Sequence, residues 1–270
     1  MPILNKDMTL CISLSGRPSN IGTRFHNYLY EELGLNFIYK AFSTDDLAGA
    51  IAGVRALGIR GCSVSMPFKE DVMALVDTIE ESAAAIESVN TIVNDGGRLR
   101  ASNTDFEAIA DLIAGNQLDK EASVVVRGSG GMAKAVVAAF RAAGFEKLTV
   151  LARNQETGAA LAAKYGYDYS AQEPAPGAQI LVNVTPLGMD GAQSDVQAFS
   201  DEQIAAAKVV FDVVAFPSET PLILAARKAG KQVITGAEVI ALQAAAQFEK
   251  YTGHGLSADQ VARASEFSRQ

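Results

Sequence analysis

Short apolar runs of strand type alternate along the chain with segments whose apolar residues recur at helical spacing. Met8 to Leu14 (MTLCISL) predicts a first strand, and the Gly-, Pro-, Ser- and Asn-rich stretch Ser15 to Thr23 a loop. Arg24 to Leu33 predicts a helix ended by Gly34, and Asn36 to Phe42 a second strand. Ser43-Thr44-Asp45-Asp46 opens a helix in which Leu47, Ile51, Val54 and Leu57 keep the helical period, and Gly58 closes it. Ile59 to Ser65 predicts a third strand, stopped by Pro67. Glu70 to Thr78 and Ser82 to Glu87 follow as helices. Val89 to Val93 and Leu99 to Ala101 then form a hairpin about Asp95-Gly96-Gly97. This first stretch describes a small α/β domain of its own.

Thr104 to Ala114 predicts a helix leaving that domain, and Asn116 to Glu121 a polar connection. Five apolar runs come next: Val124–Val126, Lys147–Ala152, Ile180–Val184, Val209–Val214 and Gln232–Thr235. Helices are expected between them at Met132–Ala143, Glu156–Tyr165, Asp201–Ala207 and Thr220–Ala229. Strands alternating with helices predict a parallel sheet with right-handed crossovers. Glu238 to Tyr251 is a long helix with no strand after it, expected to return to the first domain. The expected organisation is residues 1–104 with 237–270 as one domain and 105–236 as the other.

The second domain opens on VVVRGSGGMAKA, residues 124–135. Three valines, a glycine turn and an unbroken helical segment place Gly128, Gly130 and Ala133 at the G-x-G-x-x-G/A spacing of a dinucleotide-binding turn. Gly128 allows the turn, Gly130 lets a pyrophosphate approach the backbone, and the small Ala133 lets helix and strand pack closely. The unpaired N–H groups at the helix start then face the phosphates. This is a Rossmann-type doubly wound sheet. The second strand ends Leu151-Ala152-Arg153-Asn154, with no acid to bond a ribose 2′-hydroxyl. A guanidinium at Arg153 stacks on adenine and pairs with a 2′-phosphate, which favours NADP over NAD; Glu156 nearby works against that preference. Arg127, immediately before the turn, has two readings, a reach toward the cofactor or a solvent-facing role.

Composition narrows the partners. At 270 residues, 49% apolar and 20% charged, the chain is an ordinary globular protein. A net charge of −8 argues against nucleic acid and anionic membranes as partners, so an anionic ligand must be held by local groups. Cys11 and Cys62, each in an apolar run, read as small buried side chains in a reducing compartment. The N-terminus has no basic region followed by a long apolar segment, and no apolar run reaches membrane-spanning length. The expectation is a cytoplasmic protein. With His26 read as a structural helix-start residue and His254 as a surface one, no metal is expected. Neither G-x-S-x-G nor a Walker motif appears, so hydrolase and triphosphatase readings find no support.

Several further segments, in order, resemble the shikimate dehydrogenase family over nearly the whole chain. The family's G-x-N-V-T-x-P-x-K stands here as Gly61 to Lys69, its V-N-T as Val89-Asn90-Thr91, and its G-x-N-T-D as Ser102-Asn103-Thr104-Asp105 with the glycine off register. Its G-A-G-G-A is Gly128-Ser129-Gly130-Gly131-Met132, its N-R-T is Ala152-Arg153-Asn154, and its N-A-T is Asn183-Val184-Thr185. The terminal G-x-x-x-x-x-x-Q-A runs from Gly236 to Gln243-Ala244.

The resemblance implies hydride transfer between a nicotinamide and a carbinol carbon of a cyclohexene carboxylate such as shikimate. Lys69 is then the general base in oxidation and the acid in reduction, and Asp105 holds the lysine and the substrate hydroxyl in line. Asn90 and Gln243 bond ring hydroxyls, and Ser65 keeps the hydroxyl of a substrate-binding threonine. Cofactor contacts fall on Gly128, Ser129, Gly130, Gly131, Met132, Arg153, Asn154, Thr185, Val213 and Gly236. There are departures. The S-x-S pair that grips the substrate carboxylate falls on Asn20 and Gly22, with Thr23 or Ser19 as substitutes; the tyrosine of D-x-x-Y is Ala215; the second basic residue of the phosphate clamp is Thr157. These imply a divergent member with weaker or different substrate binding. The alternatives are a quinate or amino-shikimate dehydrogenase, or a non-catalytic binding protein of the same fold. A folate-type dehydrogenase of similar two-domain build is disfavoured by the contexts of Asn90 and Gln243. Whether the protein is a monomer or a homodimer is open.

Overall fold

In the computed structural model, which describes residues 4–270, strict alternation along the first strands decides which side chains face which layer. The chain divides into two compact units, the segment ending at Thr104 with Ala241–Gln270, and Asp105–Ile240.

The first unit contains β1 (Thr9–Leu14), α1 (Ile21–Glu32), β2 (Phe37–Phe42), α2 (Leu47–Ala56), β3 (Gly61–Val64), β4 (Thr78–Ile79), α3 (Glu81–Ala84), β5 (Thr91–Asp95) and β6 (Arg98–Ser102). Its sheet runs in the order β2-β1-β3-β5-β6-β4. The β1, β2 and β3 strands are parallel, whereas β5 is antiparallel to both β3 and β6. The expected hairpin therefore makes the sheet mixed. Gly96 and Gly97 both have positive φ, as a two-residue hairpin turn demands.

Adjacent residues part to opposite faces of this sheet. Ile12, Cys62, Val64 and Ile92 join Ile51 and Val54 of α2 in one core, while Cys11, Tyr39 and Val93 join Phe25, Leu29 and Tyr30 of α1 in the other. The second core also takes Phe248 and Tyr251, so the C-terminal segment does return to the first unit. Both cysteines are buried and unbridged.

Three expectations here need correction. First, α1 begins at Ile21, so Thr23 is helical and the loop is shorter. Asn20 occupies the position before the helix but its side chain makes no capping bond. Second, 70–78 is not a helix: Asp71–Leu75 is a short 3-10 turn, and Thr78 belongs to β4, parallel to β6. Third, a last helix was not expected after Tyr251, yet one spans Ala258–Ser268. Ser257 and Gln260 cap it reciprocally.

The second unit holds α4 (Thr104–Gly115, from its second residue), β7 (Val124–Arg127), α5 (Gly131–Ala142), β8 (Leu148–Leu151), α6 (Gln155–Tyr165), β9 (Asp168–Ser170), β10 (Ile180–Asn183), α7 (Asp201–Ala206), β11 (Val209–Asp212), α8 (Pro221–Lys228) and β12 (Gln232–Thr235). The long helix α9 (Gly236–Thr252) follows, and α10 is the Ala258–Ser268 helix. The strand order is β12-β11-β10-β7-β8-β9, all parallel, which is the doubly wound dinucleotide topology. The sequence pattern misses β9, a three-residue edge strand. It is docked by Tyr169, whose hydroxyl donates to the Ala152 carbonyl at 3.0 Å. Gly158 makes room for that ring, since a Cβ there would stand 2.5 Å from it.

At the end of β11 the buried carboxylate of Asp212 ties three elements together. It accepts from Asn183 Nδ2 of β10 (3.0 Å), from Val214 N–H (3.1 Å) and from the Thr220 hydroxyl (2.7 Å) that caps α8. Burial nevertheless pushes its pKa up from 3.8 to about 6. Between those two values the folded carboxyl keeps a proton that the unfolded one has lost. The second unit therefore loses stability as pH rises through this window, by at most about 3 kcal/mol. Asp212→Asn is expected to flatten that dependence. Urea titrations of both proteins at pH 4, 5, 6 and 7 check it, and parallel curves would contradict it.

Candidate functional site

The carboxyl ends of β7, β8 and β10 meet where the strand order reverses, the point at which open α/β sheets place ligands. A cavity of about 700 Å³ opens there within the second unit. Gly128, Ser129 and Gly130 form one side, Ala152, Arg153 and Asn154 another, and Val184 to Leu187 a third. Gly128 has φ +125°, and a Cβ on it would approach Val184 Cγ2 to 2.8 Å. Gly130 and Gly131 instead face open space. The turn is thus shaped by the protein at Gly128 and left clear for a ligand at Gly130, with the start of α5 directly behind it. Ala133 is fully buried, as close helix–strand packing requires. This cradle fits a dinucleotide. Gly128→Ala is expected to destabilise the unit by about 2 kcal/mol or more and to weaken nucleotide binding. Thermal melting with a nucleotide titration measures both effects, and an unchanged melting temperature would count against the role given to the turn.

Six of the residues expected at a cofactor line this cavity: Gly128, Ser129, Gly130, Arg153, Asn154 and Thr185. Asn154 also caps α6 by accepting from Thr157 N–H, and the Thr185 hydroxyl donates to Asn183 Oδ1 at 2.6 Å. The Ser129 and Thr157 hydroxyls pair at 2.7 Å, so a neutral pair stands where a basic side chain was absent from the pattern. The remaining four are not among the lining residues. Gly131 and Met132 begin α5, and Val213 follows β11. Gly236 is required for packing, because a Cβ there would fall 2.4 Å from the Val213 carbonyl oxygen.

Arg127 takes neither of its two expected forms alone. It lines the cavity yet is largely buried, forked onto Glu173 at 2.6 and 2.5 Å, with its guanidinium carbon 4.7 Å from the centre of the Phe199 ring. Glu173, in the loop after β9, carries no sequence signal of this role.

In the first unit the substrate candidates divide into two groups. Asn90 is buried, and its Oδ1 accepts from Thr104 N–H (2.8 Å), the Thr91 hydroxyl (2.8 Å) and the Thr104 hydroxyl (3.1 Å). Any ligand contact from Asn90 therefore falls to its Nδ2. Gln243 donates to the Thr104 hydroxyl at 3.2 Å. One turn further along α9, Gln247 donates to Thr91 Oγ1 (2.8 Å), Ser63 Oγ (3.3 Å) and the Asn90 carbonyl (3.3 Å). Thr104 and Gln247 were not singled out in the sequence. The i,i+4 spacing of Gln243 and Gln247 was the available signal, since it puts both on one helix face.

Ser65 and Lys69 flank the turn after β3. Ser65 is exposed and anchored by its N–H to the Leu14 carbonyl at 2.9 Å, while the backbone carbonyl of the half-buried Lys69 accepts from Val89 N–H at 2.8 Å. Asn20 is exposed, and Thr23 has a buried hydroxyl without a partner. Asp105 lies in the first turn of α4 and is half-buried. His26, in contrast, is 1% exposed and stacks on Tyr39 at 4.4 Å, a core residue of α1.

A doubly wound sheet with a glycine turn and an open cradle defines a dinucleotide-binding α/β protein joined to a second α/β unit. Comparison with known proteins makes the class specific. Residues 20–92 match the shikimate dehydrogenase substrate-binding domain, and residues 109–181 match the shikimate/quinate 5-dehydrogenase family. A shikimate dehydrogenase-like protein of Haemophilus influenzae is 60% identical over 99% of both chains. A solved shikimate 5-dehydrogenase-like protein superposes with a TM-score of 0.98 at 60% identity, covering 99% of this chain and 100% of that one. Shikimate 5-dehydrogenase from Thermus thermophilus, solved with NADP(H) and shikimate, aligns at TM-score 0.85 and 28% identity over 97% of this chain and 100% of that one. The chain belongs to the shikimate dehydrogenase family.

Proposed function

We propose that this chain is an NADP-dependent oxidoreductase interconverting shikimate and 3-dehydroshikimate, or a close cyclitol carboxylate. The observation that carries the reading is the Asn90–Thr104–Gln243 network, in which the buried Asn90 and Thr104 and the half-buried Gln243 hold two amide side chains beside the chain that leads to Asp105. Asn90 then donates to a ring hydroxyl through Nδ2, and Gln243 offers its Oε1 as acceptor. Ser65 adds a hydroxyl, and Asn20 an amide, for the hydroxyls and carboxylate of the substrate, whereas the buried hydroxyl of Thr23 is out of reach. A dinucleotide, when bound, supplies or accepts the hydride.

Lys69 takes the proton of the substrate carbinol in oxidation and returns it in reduction. Asp105 accepts hydrogen bonds from the lysine and the substrate hydroxyl and so orients both. On the cofactor side, the Gly128–Gly131 turn meets the diphosphate. Arg153 pairs with a 2′-phosphate, assisted by the Ser129 and Thr157 hydroxyls, and NAD is the weaker alternative. The family pattern supports a place for this reaction in the chorismate route of aromatic amino acid biosynthesis, with the cytoplasm as its compartment.

The purified protein is to be assayed at 340 nm with shikimate, quinate and amino-shikimate, each with NADP and NAD. Turnover of shikimate with NADP is the expected result. Binding of cofactor and cyclitol acid without turnover of any substrate would replace the enzyme by a binding protein of the same fold. That second reading is favoured by one observation, the loss of the serine pair at Asn20 and Gly22.

A further inference from the structure

Arg127, immediately before the glycine turn, is a charged residue that the proposed reaction leaves without a task. Its fork onto Glu173 lies in the wall of the 700 Å³ cavity. The same two residues, with Leu187, also line a neighbouring cavity of about 580 Å³, so the pair stands between the two spaces. Phe199 lines that second space and braces the guanidinium. Among the described residues the Nε–H of Arg127 is buried without an acceptor, and Glu173 and Phe199 hold the guanidinium.

The lining of the cavity is mixed in chemistry. The glycine turn and Arg153 are suited to phosphate, and Asn154, Thr185 and Gln193 are polar. Leu151, Ala152, Ala171, Val184, Pro186 and Leu187 are apolar and suit the faces of a base, and the Arg127–Glu173 pair lines the same cavity. The opposed charges of the pair cancel, so it adds little attraction for a phosphate. It offers instead a fixed hydrogen-bonding edge. After the fork is made, each terminal nitrogen of Arg127 keeps a second N–H, and each oxygen of Glu173 keeps a lone pair. Arg127 holds Glu173 below the usual carboxylate range, so the acid is an acceptor only.

We propose that the Arg127–Glu173 pair reads the purine base of the nucleotide and selects adenine. This rests on the dinucleotide reading of the cavity. Adenine carries an acceptor, N1, next to a donor, the 6-amino group. Arg127 donates to the first and Glu173 accepts from the second. Hypoxanthine reverses that order, with a carbonyl at position 6 and a hydrogen on N1. The ribose and diphosphate, held by the turn, prevent the base from turning over to restore the match.

The test is calorimetric titration of the full chain, without substrate, using NADP, NAD, ADP and the hypoxanthine counterpart of NADP. The wild type is expected to bind the adenine form about ten- to a hundredfold more tightly. Glu173→Gln, which replaces an acceptor by a donor, and Arg127→Met, which keeps the stem on Phe199, are each expected to bring that ratio close to one. The ratio of NADP to NAD should stay as in the wild type. Equal affinity of the wild type for the two bases overturns the proposal, and needs no variant. So does a preference that persists in both variants, or a change in the NADP-to-NAD ratio instead. If neither NADP, NAD nor ADP binds, it is the dinucleotide reading itself that fails.

Discussion

Lys69→Ala is expected to lower kcat for shikimate oxidation by about 10²–10⁴-fold, with a much smaller change in KM. The side chain is assigned proton transfer, which matters only as the hydride moves, so its loss falls on the transition state and not on substrate binding. The backbone at this position is held independently of the amine. The Lys69 carbonyl accepts from Val89 N–H, and Phe68 N–H bonds the Ser65 carbonyl at 3.0 Å. Truncation should therefore leave the turn after β3 in place, which a circular dichroism melt verifies. Partial rescue by a small primary amine added to the assay would mark the missing group as a proton carrier. Full turnover in the folded variant would remove Lys69 from the reaction. Asp105→Asn, which keeps the shape but not the charge, should also lower kcat if Asp105 orients the lysine.

Acid is expected to unfold the first unit through His26. The ring lies among Phe25, Tyr30, Tyr39, Phe248 and Tyr251, and burial pushes its pKa down from 6.5 to about 3. The folded histidine stays neutral while the unfolded one takes up a proton below pH 6.5. The stability associated with the neutral ring is complete above 6.5 and is lost as pH falls toward 3, in total by at most about 4–5 kcal/mol. The neighbouring tyrosines and Cys11 have pKa values raised by burial, so none of them titrates in this window. Between pH 6.5 and 4.5 the wild type should lose about 2–3 kcal/mol that His26→Phe does not. Urea unfolding of the two proteins at those pH values measures the difference. Asp212 moves the second unit the other way over part of this range, so the two units should separate in acid, the first melting earlier. A loss of equal size in His26→Phe would show that another group governs acid unfolding.

The doubly wound unit was largely legible because each of its central strands is buried on both faces. Val124–Val126, Ile180–Val182 and Val209–Phe211 are continuous apolar runs, and glycine at residue 128 marks the one turn that positive φ and the Val184 side chain both require. The missed β9 shows the limit of that signal. An edge strand reading Asp168-Tyr169-Ser170 has no apolar run, and its place is set by the space left at Gly158. The overlooked last helix did carry a local mark, the Ser257-x-x-Gln260 capping box, although its mean composition is polar. In the first unit, the 3-10 turn at Asp71–Leu75 replaced an expected helix because the chain must return to pair Thr78 with Arg100 of β6.

Sequence alone determined the two α/β units, the glycine turn, Arg153, and the chain positions of Lys69, Asp105, Asn90 and Gln243. All of these rest on local backbone preference or on residue types that recur in a family pattern. Tertiary structure decided which atoms of those residues remain available. It spent the side-chain oxygen of Asn90 on Thr91 and Thr104, set Asn154 to cap α6, buried His26 among aromatic rings and brought Glu173 onto Arg127 across 46 residues of chain. Such pairings depend on how strands and loops pack at a distance, and no spacing along the chain encodes them.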